Sequence, residues 1–384
     1  MRTDALYSAV MANILERWRR GRHKAPDNGA GAPAAIPAAD GLCLDPYETL
    51  AHVAAKAPRA FSWARAGVVD PRQWQEMARV KLAELSGYGR FGGPPQLLRR
   101  QDLGVVAGLH HQSLYIRVRH AHDIPVRLVY RDTDAMSPRA AVLCLQGEGI
   151  GMHVSWGESE GSTEAQAVRS GFDFAREVAA RGHVAVCVEL MGAGDRRPLD
   201  PDGRPAATLR SLAVHGMLLG HSLLGQHASD VSTVINWVGG SDVGVAVDPG
   251  RIAVIGHELG GAAGLLAAAL DTRIAVIVMA EPPRRFRDAI KQRSITAEMT
   301  MPGLLRWMDL DDILLLCAPR PVILGPGRSG AAAGADDLVA AGRPFYELFD
   351  VGPALVRAEA LASLWRHLAA QLAEPCVEAG KAEQ

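Results

Sequence analysis

Short, continuous apolar runs recur along this chain at Ala140–Leu145, Val184–Leu190, Ile252–Ile255, Ile274–Ala280 and Pro321–Leu324. Runs of that kind mark strands buried on both faces. Between them lie stretches of helical period: Gly171–Arg181, Gly220–Val238, Ala262–Leu270 and Ala358–Leu372. Earlier in the chain His111–Arg119 and Val126–Tyr130 alternate apolar and polar, as half-buried strands do. Asp70-Pro71 opens a helix to about Leu85, with Trp74, Ala78 and Leu82 on one face, and Gly87–Pro95 reads as loop. Phe345–Phe349 reads as the last strand. Strands that alternate with helices predict an α/β fold, a mostly parallel central sheet flanked by helices and joined by right-handed crossovers. In such sheets the site lies above the carboxyl ends of the strands.

Residues 4–20 carry Leu6, Val10, Ile14 and Trp18 at helical spacing, and residues 25–40 are a Pro/Gly/Ala linker. The expected organisation is an N-terminal helix (1–24), a flexible linker (25–40), a helical region (41–95), the α/β domain (96–375) and a tail (376–384). Cap segments are expected at about 199–220 and 284–305. The first helix is expected to be an appendage, serving as a dimer arm, a lid or a loose tail.

Composition narrows the function. The 384 residues are 48% hydrophobic and 22% charged, an ordinary globular balance. A net charge of −1 gives no basic footprint for nucleic acid or an anionic membrane. No apolar run approaches the roughly 18 residues of a membrane span, and Asp4, Glu16 and several arginines break up any secretory signal. The five cysteines are scattered, with no paired spacing for zinc or haem, which suits a reducing cytoplasm.

Candidate chemistry centres on Arg251 to Ala263, Arg-Ile-Ala-Val-Ile-Gly-His-Glu-Leu-Gly-Gly-Ala-Ala. A buried strand, a glycine-flanked turn and a small-residue helix are the setting of a G-x-S-x-G nucleophile elbow. Its central position here is Glu258.

Further motifs follow the same order as in a known group. They are Val142-Leu143-Cys144-Leu145-Gln146-Gly147-Glu148-Gly149, Phe174 to Gly182, Gly192-Ala193-Gly194-Asp195-Arg196-Arg197, Pro302 to Asp309, and Ala318-Pro319-Arg320-Pro321. Over roughly residues 70–372 the chain resembles an α/β-hydrolase of the dienelactone hydrolase and acetyl xylan esterase-like group. The resemblance implies a serine at the elbow, an acid after the strand that follows Ala-Pro-Arg-Pro, and a histidine after the last strand. Here the elbow holds Glu258. Gly325 to Ala331 carries no carboxylate before Asp336 and Asp337, and Asp350 to Ala354 carries no histidine. His367, the only histidine after Glu258, falls on the flank of the last helix. A Ser-His-Asp mechanism needs all three groups in contact, so the triad reads as lost.

Glu148, Glu189, Glu258 and Glu281 fall at the carboxyl ends of consecutive predicted strands. Like charges gathered there raise at least one pKa and make a general acid or base available near neutrality. Glu258, Glu148 and Glu281 are the catalytic candidates. Glu189 reads instead as a structural ion pair. Arg196, Arg197, Arg284, Arg285 and Arg287 could balance the acids, with Arg284 and Arg285 as substrate contacts. Gly147, Gly149 and the Leu259 N–H would be remnants of an oxyanion hole, and His257 a flanking residue whose role reads as structural. The arginine-rich loops and the lack of a His/Cys set argue against Mg²⁺ or Ca²⁺, so neither metal nor cofactor is expected. The leading expectation is non-hydrolytic acid–base chemistry on a small organic molecule: isomerisation, cyclisation, epimerisation or elimination. Two alternatives stay open. One is an ester or epoxide hydrolase using Glu258 as nucleophile or base; the other is an inactive fold kept as a binding module. Related hydrolases often dimerise, which leaves a homodimer open.

Overall fold

Strands β1 (Pro95–Val106), β2 (Leu109–Val118), β3 (His122–Tyr130), β4 (Arg139–Leu145), β5 (Val184–Val188), β6 (Val247–His257), β7 (Ile274–Glu281), β8 (Val322–Leu324) and β9 (Leu355–Arg357) form one sheet. Their spatial order is β1-β2-β3-β5-β4-β6-β7-β8-β9. Pairing is antiparallel from β1 to β5 and parallel from β5 to β9. The computed structural model describes residues 45–67, 69–90, 93–118, 122–132, 137–202, 204, 207–240, 243–327 and 332–373. The readings for 1–24, the linker 25–40 and the tail 376–384 lie outside the described residues.

The helices are α1 (Pro46–Ala55), α2 (Pro71–Ser86), α3 (Ser162–Arg169), α4 (Phe174–Ala180), α5 (Leu209–Leu218), α6 (Leu223–Val238), α7 (Glu258–Leu270), α8 (Phe286–Lys291), α9 (Leu310–Leu315), α10 (Ala332–Glu347) and α11 (Leu361–Ala373). Side chains on successive strand residues point to opposite faces, and the two cores follow that rule. Ala141, Leu143 and Leu145 of β4 pack with Val184, Val186 and Val188 of β5 against α2, α6 and α7. Ala140, Val142 and Cys144 pack with Ala185 and Cys187 against α4 and α11. Burial on both faces is why these strands read as unbroken apolar runs. None of the helices among the described residues is long and apolar enough to cross a membrane.

The helical region before residue 96 belongs to the same body. The described residues from Pro46 onward form one compact unit. Asp70 caps α2 by accepting from the Gln73 N–H at 2.9 Å. Gln75 then donates to the carbonyls of Leu315 and Ala318, both at 2.8 Å. Trp74, Ala78 and Leu82 enter the main core.

Two sequence expectations are corrected. Phe345 to Glu347 close α10 instead of forming a strand, because Phe345 and Tyr346 are one side of a long alanine-rich helix and are fully buried. The last strand is Leu355–Arg357, so the loop that follows it is Ala358-Glu359-Ala360, again without histidine. β1 was not foreseen: most of its residues are exposed, and an apolar period never develops.

Candidate functional site

The elbow forms as the glycine spacing requires. β6 ends at His257, α7 begins at Glu258, and Glu258 adopts a left-handed φ of +49°. That region is costly for any residue with a β-carbon. The turn is held by a close approach at Gly260, where an added β-carbon would fall 2.4 Å from the Gln146 carbonyl oxygen. The loop after β4 is fixed in turn by Gln146, whose Nε2 donates to Ser155 Oγ at 2.7 Å and to the Phe172 carbonyl at 2.9 Å.

Glu258 reaches back over that loop. A β-carbon placed on Gly147 would lie 2.8 Å from Glu258 Oε2 and 2.7 Å from His257 Nε2. The carboxylate thus lies against the backbone where an oxyanion loop would cradle a ligand oxygen. It also stands in the first turn of α7, beside the N–H groups left over at a helix start, which favour negative charge. Leu259 is buried within that turn. Gly149 continues the loop with φ +70°. His257 is fully buried and stacks on Phe172 at 4.3 Å between ring centroids.

Glu148 stands at the exposed rim of the same loop. Partial burial first, then repulsion from Glu298 and from Glu258, holds its carboxyl above the usual range, with Arg210 pulling the other way. Two residues absent from the sequence candidates therefore act on Glu148 through their charge. Arg210 comes from α5 and Glu298 from the segment after α8. Glu298 is only 2% exposed, and its Oε2 has no hydrogen-bond partner among the described residues. Both lie in the expected cap segments, yet neither segment has a period or motif that singles them out.

Glu281 ends β7 in register with His257 and is buried. Glu189 follows β5 but accepts from the N–H groups of Met152 at 2.9 Å and Asp195 at 3.3 Å. Backbone donors hold it, not the expected ion pair, and burial pushes its carboxyl up to about 7. Arg196 gives its charge to Asp230 at 2.7 Å, and Arg197 donates to the Gly194 carbonyl at 2.8 Å. Arg285 binds Asp288 at 2.7 Å and Asp337 at 3.4 Å, while Arg287 binds Asp311 at 3.0 Å. Arg284 lies against α10 beside Gly334. Nearby aspartates therefore pair with Arg285 and Arg287.

The stretch after β8, where the resemblance implies an acid, runs Gly325-Pro326-Gly327. Arg357 fills that space, donating to the Gly325 carbonyl at 2.8 Å and to Asp336 at 3.0 Å. An apolar hollow of about 290 Å³ lies elsewhere, between α1 and the Thr300–Arg306 turn.

A parallel sheet in this order, an elbow after β6 and a glycine loop after β4 define an α/β-hydrolase fold. The chain belongs to the Abhydrolase family, whose sequence model matches residues 121–332. A search of curated proteins gives no match. Solved structures share the fold at low identity. A Bacteroides fragilis protein described as a candidate acetyl xylan esterase is 18% identical, covers 85% of each chain and superposes with a TM-score of 0.67. A glucuronoyl esterase from Teredinibacter turnerae is 16% identical over 83% of this chain and 89% of its own, with a TM-score of 0.55. One from Solibacter usitatus is 16% identical over 83% and 99%, with a TM-score of 0.54.

Proposed function

We propose that the chain is an enzyme that transfers protons on a small organic molecule, with Glu258 as general base and Glu148 as general acid. One observation carries the reading: a carboxylate occupies the strained elbow and faces a second carboxyl whose affinity for its proton is raised. Two carboxyl groups set apart by their surroundings are what general acid–base catalysis needs near neutrality. The backbone around Gly147, Gly149 and Leu259 would hold a carbonyl oxygen while the proton on the adjacent carbon is removed. Enolising forms of isomerisation, epimerisation, cyclisation and elimination begin with that step. A cytoplasmic setting and a small-molecule partner fit this reading.

A hydrolytic reading comes second, favoured by the esterase descriptions of the structural neighbours. Glu258 would then activate water or attack the carbonyl itself. The two readings separate in one experiment. Purified protein is incubated in D₂O with small ketones, lactones and hydroxy acids, and beside these with acetylated xylosides and methyl glucuronate esters. The acid–base reading expects deuterium to appear by NMR at the carbon beside a carbonyl, with a loss of about 10²–10⁴-fold in Glu258→Gln. Ester cleavage that disappears in Glu258→Gln, with no exchange, overturns it in favour of hydrolysis.

A further inference from the structure

The apolar hollow beside α1 shares no residue with the elbow. Helix α1 buries Ala54 alone. Leu50 and Val53, on the same side of the helix at i and i+3, stay 53% and 60% exposed and line the hollow together with buried Phe286, Met301 and Leu304. Its volume of about 290 Å³ stands at the small end of ligand pockets, which begin near roughly 300 Å³. Single exposed leucines are ordinary on a protein surface, but exposed apolar side chains gathered around a concave apolar floor mark a place where a ligand binds. The lining carries one charge among the described residues. Arg306 is exposed, and its guanidinium makes no hydrogen bond or ion pair with a described residue. Thr300 spends its hydroxyl proton on the Thr296 carbonyl at 2.7 Å, so Arg306 is the side-chain donor left for a polar head group. A second cation adds to the positive field: Arg293, between the lining residues Ile290 and Ile295, stands 4.7 Å over the Tyr47 ring, one turn of α1 before Leu50.

From an apolar hollow whose one charged side chain is an uncommitted arginine, we propose a second binding site on this chain, for a monocarboxylate with a short apolar chain. The chain lies against Phe286, Met301 and Leu304, and the carboxylate meets Arg306. A guanidinium suits a carboxylate in charge and in its forked donor geometry, whereas a neutral or cationic head would leave that charge unanswered. The small volume limits the apolar part to a short chain or a single ring. The site needs no chemistry at Glu258, so it stands or falls apart from the proposed proton transfer.

Calorimetric titration of the full chain at neutral pH and low ionic strength tests it, with octanoate, octan-1-ol and octylammonium as separate probes. Octanoate is expected to bind at least about fivefold more tightly than the alcohol, and octylammonium more weakly than either. Arg306→Gln is expected to bring octanoate down to the level of the alcohol. Val53→Asp, which sets a negative charge on the lining, is expected to weaken octanoate by about tenfold or more. Both positions are exposed, so neither variant disturbs the core, and the ranking of the three probes on the unaltered protein stands without them. Glu258→Gln is expected to leave octanoate binding unchanged; a changed affinity there would put the ligand at the elbow and overturn the proposal. No binding of octanoate, equal affinity for the alcohol, preference for the ammonium, or unchanged affinity in Arg306→Gln would each overturn it too. Analytical ultracentrifugation gives a further opposing outcome: a dimer that excludes octanoate and that Val53→Asp dissociates would assign the hollow to a second copy of the chain.

Discussion

Glu258 keeps a left-handed backbone at φ +49°, which costs a side-chain-bearing residue about 1–2 kcal/mol. The cost gives a direct check. Glu258→Gly and Glu258→Ala both remove the carboxylate, but only glycine relieves the backbone. The glycine variant is expected to be about 1 kcal/mol more stable than the alanine variant in urea unfolding, with both inactive. Equal stability would mean that the elbow stores no strain. Gly147→Ala acts on the facing loop. Its methyl would meet Glu258 Oε2 and His257 Nε2 at under 3 Å, both within crowded surroundings. A loss of about 1–3 kcal/mol is expected, together with lost activity. Glu148 and Glu258 were legible in the sequence because each sits inside a glycine motif whose backbone fixes its position. Glu298 and Arg210 were not, since only the fold brings their charges within reach of Glu148.

Helix α6 shows the same division at the scale of an element. Its apolar spacing was readable, but the use of Asp230 was not. That carboxylate accepts from Arg196 at 2.7 Å and Gln226 at 3.0 Å and pairs with His122 at 2.8 Å. Although burial opposes it, the Arg196 charge and the His122 contact bring Asp230 down to about 2. Its contribution is present above the unfolded value of about 4 and is lost as pH falls toward 2. Asp230→Ala would leave the Arg196 guanidinium buried without its counter-charge. A loss of about 3–5 kcal/mol in chemical denaturation is expected. Buried strands β4 to β7 announced themselves as apolar runs, and the capped start of α2 was equally plain. β9 is three residues long and shows no period. The aromatic cluster near Phe345 imitates a strand, until the alanine-rich segment before it is seen to be one continuous helix.

Across the whole molecule, three further buried groups shape how stability follows pH. Glu189 is raised to about 7 and Asp312 to about 6, both chiefly by burial. The native state keeps protons there that the unfolded chain has shed, so their contribution is full below about pH 4 and is lost as pH climbs toward 7. His227, lowered to about 4 by burial, works in the opposite sense, and its share is lost as pH falls from about 6.5 toward 4. Glu189→Gln carries no titrating proton. Its melting temperature is therefore expected to fall less than that of the unaltered protein between pH 4.5 and pH 7. Parallel curves would show that Glu189 does not titrate in that range.

The site draws on two kinds of structure. Glu258 and Gly147 are held by β4, β6 and α7, where a β-carbon added at Gly256 or Gly260 would meet backbone within 3 Å. Arg210 and Glu298 arrive from segments between the strands, outside that frame. Point changes in those segments can reverse the field on Glu148 while the frame that aims the elbow stays in place. Within one lineage, then, ligand preference is free to diverge faster than reaction type, and relatives that share this elbow need not share a substrate.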